Sequence, residues 1–257
     1  MVSRMIDRAA QEGAQFVFTP EVTNCVSSSR THQRAVLSHP ESDPVLSGIK
    51  AKAVEHGVHI LIGSLAVKTT SEDGRFANRS YLIGPDGAEI AQYDKIHMFD
   101  VEIDETESFR ESAGYRPGTR AIVAPSPLGP IGMCVCYDMR FPLLAHALAQ
   151  AGAQVLTYPA AFSPVTGAAH WASLLRARAI ENGCWVIAPA QTGAHPGTGR
   201  RQTYGHSYVV DPWGHVLLDA GTETGVYFCD IDPELVAATR RRVPALQNTR
   251  DFEAPKT

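Results

Sequence analysis

The stretch GMCVCYDMRFP, residues 132–142, reads as a buried strand that ends at Cys136 and gives way to a helix opened by Pro142. Such a strand-to-helix turn exposes one side chain while the next backbone N–H groups point the same way. A thiolate at Cys136 therefore has donors at hand, both to stabilise it and to form an oxyanion hole. Cys134 shares the strand face but sits deeper. The plainer reading of either residue is a small buried hydrophobe, the usual role of a free cysteine.

Helices and strands alternate on both sides of this turn. Upstream, Met1, Val2, Met5, Ile6 and Ala9 have helical spacing, so the chain opens inside a helix with no strand before it. QFVFTPE (15–21) is a short strand ending at Pro20, and a helix from Pro44 to His56 stops at Gly57. VHILIGSLAV (58–67) and RSYLIG (79–84) read as strands, the second turning through Pro85-Asp86-Gly87 into AEIAQYDKI (88–96). Residues 97–120 are polar and irregular, and a loop of that length is more often functional than idle. Two strands flank Pro125 to Pro130. Downstream come the helix LLAHALAQAG, strand QVLTYPA (154–160), helix HWASLLRARAIEN (170–182) and strand CWVIAPA (184–190). A polar loop (191–203) precedes strand-like segments YGHSYVVD, HVLLD and GVYFCDID, and a last helix follows the Asp232-Pro233 cap. This alternation, interrupted by hairpins, implies a layered α/β fold with mixed sheets. No repeat or low-complexity linker divides it, so residues 1–257 read as one domain.

At roughly 150 residues per domain, 257 residues suffice for one large core without disulfide or metal staples. With 23 basic and 27 acidic side chains the net charge is −4, which gives no electrostatic case for nucleic acid or membrane partners. No apolar run approaches the roughly 20 residues that span a bilayer. The N-terminus lacks the apolar core and cleavage site of a secretory signal. Five cysteines form an odd set without framework spacing, so reduced thiols and a cytoplasmic location are expected.

A thiol with an ordinary pKa of about 8.5 is mostly protonated at neutral pH, so a nucleophilic Cys136 needs a base or a cation nearby. Glu21 closes a strand just after a rigid proline, though a turn carboxylate is the plainer reading. A histidine is the other option, with His97, His170 and His206 at loop or element-start positions. Their spacing selects none. Lys95, at the end of AQYDKI, completes a possible acid, cation and thiol set; its plainer reading is a solvated strand-end lysine. Metal is disfavoured, because Cys134 and Cys136 are too close for a structural zinc pair and no second pair has ligand spacing. A P-loop, a G-x-G-x-x-G turn and an H-E-x-x-H helix are all lacking.

Three separated segments, TPE (19–21), YDKIHMFD (93–100) and CYDMRFP (136–142), resemble the Glu, Lys and Cys motifs of the nitrilase superfamily of carbon–nitrogen hydrolases, in that family's order. FRES with Glu111, TYPAAF (157–162), GAAHWASLLRARAIEN (167–182) and YGHSYVVDPWG (204–214) extend the likeness from Glu12 onward. HMFDVEI and RRRVPALQNTRDF are most similar to the branch of deaminated-glutathione amidases and the neighbouring ω-amidases. The resemblance implies a four-layer α-β-β-α sandwich, a homodimer or higher homo-oligomer, and no cofactor. Family members begin with a strand before the first helix. This chain is therefore expected to lack that strand, through a misplaced start codon or fragmentation.

The resemblance also implies roles. Glu21 is the general base, with a pKa raised toward neutrality by burial, and Cys136 attacks a small carboxylate-bearing amide to form a thioester. Lys95 and the backbone N–H of Tyr137 hold the oxyanion, and Glu111 positions Lys95 or the substrate. The products are an acid and ammonia. The expected substrate is deaminated glutathione, with an ω-amidase substrate of the α-ketoglutaramate type and a non-catalytic scaffold as alternatives, and a redox pair of Cys134 and Cys136 as a third. Arg140, Tyr158, Phe162, His170 and Trp171 are the candidates for substrate binding. The substrate carboxylate calls for an arginine clamp, for which Arg140, Arg176, Arg178, Arg200 and Arg201 are the candidates; Arg176 and Arg178 are equally well read as structural ion-pair partners, and a solvated surface run is the favoured reading of Arg200 and Arg201. The three aromatic residues fit a pocket or the core equally well.

Overall fold

The two faces of a single strand set the layers. The computed structural model describes residues 1–103, 108–195 and 201–255. In chain order its first elements are α1 (Val2–Gln11), β1 (Phe16–Phe18), α2 (Arg30–Val36), α3 (Pro44–His56), β2 (His59–Val67), β3 (Ala77–Ile83) and β4 (Glu89–Asp94). Ile60 and Ile62 of β2 pack with Ile6 of α1 and Leu46, Ile49 and Ala53 of α3. Leu61, between them in sequence, points the other way, into a core shared with Met133, Val155 and Val186. The adjoining strand repeats the division, with Tyr81 and Ile83 on the helix side and Leu82 on the inner side.

The chain continues through β5 (Asp100–Glu102), β6 (Ser108–Arg110), β7 (Ile122–Ala124), β8 (Ile131–Met133), α4 (Pro142–Gln150), β9 (Val155–Thr157), α5 (Pro164–Asn182) and β10 (Trp185–Ala188). It ends with β11 (Thr192–Ala194), β12 (Gln202–Tyr204), β13 (Tyr208–Val210), β14 (Val216–Asp219) and α6 (Glu234–Arg242). One sheet has the order β1-β2-β3-β4 and the other β14-β13-β10-β9-β8-β7. Strands β8, β9 and β10 run parallel, as do β1 and β2, and the remaining pairings are antiparallel. Residues of α4 and α5 close the outer face of the six-stranded sheet through Ala145, Leu148, Trp171, Leu175 and Ala179. The result is the α-β-β-α sandwich that the sequence implies. No strand precedes α1 among the described residues, and β1 is an edge.

Some boundaries differ from the sequence reading. Helix α5 starts at Pro164 rather than His170, because Pro164 occupies its first position and the chain is already helical there. The segment GVYFCDID (225–232) is not a strand: none of the backbone groups from Gly225 to Ile231 meets a backbone partner among the described residues. Its β-branched and aromatic residues satisfy the local pattern, but a strand also needs an adjacent edge to receive its hydrogen bonds. Tyr227 and Phe228 are accordingly exposed. The described parts of the two polar loops include the paired strands β5–β6 and β11–β12, which their composition does not suggest. No helix among the described residues is long and apolar enough to cross a membrane.

Candidate active site

Glu21, Lys95 and Cys136 each sit just beyond the end of a strand, and the chain is held tightly at all three points. After β1, Thr19 N–H donates to Leu61 O at 3.0 Å and Pro20 O accepts from Ser64 N–H at 3.3 Å. This close approach requires Gly63, whose Cβ would lie 2.0 Å from Thr19 O. Val22 follows Glu21 at φ +47°, a strained conformation for a β-branched residue, and its N–H donates to Ser64 Oγ at 2.8 Å. Lys95 follows β4 directly, and its N–H donates to Asn78 O at 2.9 Å. Cys136 opens a short 3₁₀ turn (Cys136–Arg140) with φ +49°. Asp138 fixes that turn: its carboxylate accepts from Val135 N–H at 2.8 Å, from Tyr93 OH at 2.7 Å and from His97 N–H at 3.0 Å. The same buried carboxylate thus ties the lysine segment to the cysteine turn.

The three side chains meet in one cavity of about 220 Å³. Glu21, 5% exposed, accepts from Lys95 Nζ at 3.0 Å and from Asn78 Nδ2 at 2.8 Å through Oε1, while Oε2 accepts from Ala161 N–H at 2.8 Å. Lys95, 2% exposed, also donates to both oxygens of Glu111, at 3.0 and 2.8 Å. Glu111 in turn accepts from Phe99 N–H at 2.7 Å. The Cys136 thiol faces the Glu21 carboxylate across this cavity, close enough for each to shift the titration of the other. Burial opposes charge on Glu21, yet Lys95 and the donors around it hold its carboxyl below the ordinary Glu range. The expectation of a pKa raised toward neutrality is therefore corrected, because the neighbouring ammonium outweighs desolvation. Burial pushes the Cys136 thiol well above its ordinary value, and the Glu21 charge adds to this. Burial disfavours the Lys95 ammonium, but Glu111 and Glu21 together raise its pKa. The resting state is a neutral thiol beside an ionised carboxylate and an ammonium.

Tyr137 is half-buried at the start of the cysteine turn, and its backbone N–H has no acceptor among the described residues. Phe162 lines the cavity. Trp171 lies behind it, 5.1 Å away ring to ring, with its indole N–H donated to His206 O at 2.8 Å. Tyr158 is fully buried in the core, beside Cys134. Arg140 turns aside from the cavity, within 3.1 Å of exposed His170. Arg176 donates to Gly214 O at 3.0 Å, and Arg178 pairs with Glu181 at 2.6 Å. Arg200 lies outside the described residues. Sequence reasoning missed Asn78, which donates to both Glu21 and Glu111, because a single asparagine near the start of a strand carries no positional signal. It also missed Arg30 and placed Arg201 on the surface; both line the cavity.

Known proteins resemble this chain along most of its length. The family profile described as Carbon-nitrogen hydrolase matches residues 2–241. A Synechocystis protein named deaminated glutathione amidase is 38% identical over 95% of this chain and 89% of its own length. The human protein of the same name is 39% identical over 96% of this chain and 76% of its own. Among solved structures, the C. elegans NitFhit protein superposes with TM-score 0.88 at 37% identity, covering 97% of this chain; the chain spans only 60% of that longer protein. Saccharomyces cerevisiae Nit3, described as a member of branch 10 of the nitrilase superfamily, superposes with TM-score 0.82 at 29% identity, covering 95% of this chain and 86% of its own. A chain matched along nearly its whole length, with an acid, a lysine and a cysteine gathered at its strand ends, belongs to the carbon–nitrogen hydrolase family.

Proposed function

We propose that the protein is a thiol amidase that hydrolyses deaminated glutathione. The observation that carries this reading is the contact of Cys136 and Lys95 with one buried carboxylate, Glu21, in a small cavity. The names of the relatives support the substrate.

The thiol proton moves to Glu21 as sulfur attacks the amide carbonyl, so no free thiolate has to form in the resting enzyme. The oxyanion is received by Lys95 Nζ and the backbone N–H of Tyr137. Glu111, which holds Lys95 through both of its oxygens, fixes the ammonium for that task. The C–N bond then breaks as Glu21 returns the proton to nitrogen, leaving a thioester on Cys136. A water molecule deprotonated by Glu21 releases the acid and restores the thiol. In deaminated glutathione the scissile nitrogen belongs to cysteinylglycine. The leaving group is therefore that amine, whereas α-ketoglutaramate would release ammonia.

The test follows release of cysteinylglycine or ammonia by the protein and by C136A, using deaminated glutathione, α-ketoglutaramate, glutamine and a simple nitrile. Hydrolysis of deaminated glutathione that is lost in C136A supports the reading. Turnover of α-ketoglutaramate alone replaces the substrate and keeps the chemistry. A folded protein that turns over none of them overturns the reading.

A further inference from the structure

Three guanidinium groups line the cavity, and two of them, those of Arg30 and Arg201, have no carboxylate partner among the described residues. Arg30, at the first position of α2, lies on the backbone of Gly114, where a Cβ would come 1.6 Å from its Cζ. Its guanidinium stacks on the Tyr115 ring, 5.1 Å from the centroid, and donates to Gln33 Oε1 at 2.9 Å. Gln33 is itself anchored by Ser27 O and Tyr115 OH, each at 2.8 Å. Arg201, next to β12, sits over the Phe109 ring at 5.6 Å and reaches Ala161 O at 3.4 Å. Its Nε is buried without a hydrogen-bond partner among the described residues. Among the described residues neither arginine pairs with a carboxylate, whereas Arg110 at the same cavity is neutralised by Glu102 and Lys95 by Glu21 and Glu111.

A buried donor without an acceptor is costly, and a planar guanidinium held by an aromatic ring and an amide is already arranged for a carboxylate. An anionic substrate must also approach Glu21 and Glu111, two carboxylates that share a single lysine. Two unpaired cations offset that repulsion. We infer that Arg30 and Arg201 are the specificity-determining residues of this cavity, each receiving one carboxylate, so that the preferred substrate is a linear amide with two carboxylates. This rests on the amidase reading and deepens it. Deaminated glutathione has one carboxylate on the acyl side of its scissile bond and one at the glycine end, whereas α-ketoglutaramate has only the first.

The experiment compares R30Q and R201Q with the unmodified protein on three substrates: deaminated glutathione, its C-terminal carboxamide, and a neutral linear amide. A charge-assisted hydrogen bond carries on the order of ten- to a hundredfold in affinity. Each variant is expected to lose that factor in kcat/KM on the diacid, mainly through KM, and at least tenfold less on the neutral amide. On the carboxamide only one of the two arginines should still matter. R30K and R201K, which keep the charge but not the fork, should recover part of the loss. Equal losses on diacid and neutral amide would mean a purely structural role and overturn the inference, as would full activity of both variants on the diacid. Continued dependence on both arginines with the carboxamide would overturn the assignment of one carboxylate to each. Calorimetric binding of deaminated glutathione to C136A, with and without each arginine change, separates the two readings. Arginine-dependent binding without turnover by the parent protein sinks the amidase and keeps the clamp; turnover indifferent to both arginines does the reverse.

Discussion

At the scale of the residue, charge and burial divide the labour between two neighbouring cysteines. Cys134 and Cys136 are both buried, but only Cys136 reaches the Glu21 carboxylate, while Cys134 meets Tyr158. C136A should abolish turnover, whereas C134A should keep most of it and lose about 1 kcal/mol of stability to the small cavity left behind; activity assays beside urea denaturation measure both. Because Lys95 and hydrogen-bond donors hold Glu21 below its ordinary value, the base stays ionised as the solution is acidified. The acid limb of kcat/KM is therefore expected below pH 4.5, the ordinary value for Glu. The sign for stability is the same. A carboxyl whose pKa falls on folding stabilises the protein above its unfolded pKa, and that contribution is lost as pH drops through the folded value. K95Q leaves Glu21 and Glu111 buried without their cation. It should stop turnover, move any residual acid limb upward and cost about 3–5 kcal/mol of stability, to be read from a pH–rate profile and a melting curve.

At the scale of the element, strand ends do the positioning, and each end is secured by something other than the strand. The turn after β1 depends on the absence of a side chain at Gly63, where the nearest atoms are the backbone oxygen of Thr19 at 2.0 Å, Pro159 Cβ at 2.5 Å and Pro20 O at 2.6 Å. None is the end of a flexible side chain. G63A should therefore cost about 1–3 kcal/mol or more through overpacking, and kcat should fall with it because Glu21 is displaced. Asp43 shows the ordinary case for comparison. It caps α3 by accepting from Val45 N–H and Leu46 N–H, both at 2.9 Å, and does not line the cavity. D43A should lose about 0.5–2 kcal/mol with kcat/KM nearly intact. Thermal melts together with initial rates distinguish the two outcomes.

At the scale of the whole molecule, two sheets packed face to face bring together strand ends that are far apart in sequence. Cys136, Ala161 and Gln191 follow the parallel neighbours β8, β9 and β10, and Glu21 reaches them from the other sheet. Ligands of α/β sheets gather at such carboxyl ends. The same architecture leaves the segment from Gly225 to Ile231 without backbone partners among the described residues. Its amides should exchange with solvent much faster than those of β9 and β10, which lie inside the six-stranded sheet. Hydrogen–deuterium exchange followed by mass spectrometry checks this, and strong protection across 225–231 would contradict it.

The sequence by itself determined the layered α/β class, the strand-end positions of Glu21, Lys95 and Cys136, and the Pro142 helix start. These are local properties: an alternating or helical apolar period, a proline at a first turn, a polar residue where an apolar run stops. The resemblance of three short motifs then supplied the family. Only the tertiary structure decided the rest. The pKa of Glu21 depends on Lys95, which is 74 residues away, and the Ala161 donor is 140 residues away. Arg201 looked like a solvated run beside Arg200, yet its surroundings are Phe109 and Ala161. GVYFCDID had the composition of a strand without an edge to pair with. Electrostatic environment and strand pairing are relations between distant segments, and no local pattern contains them.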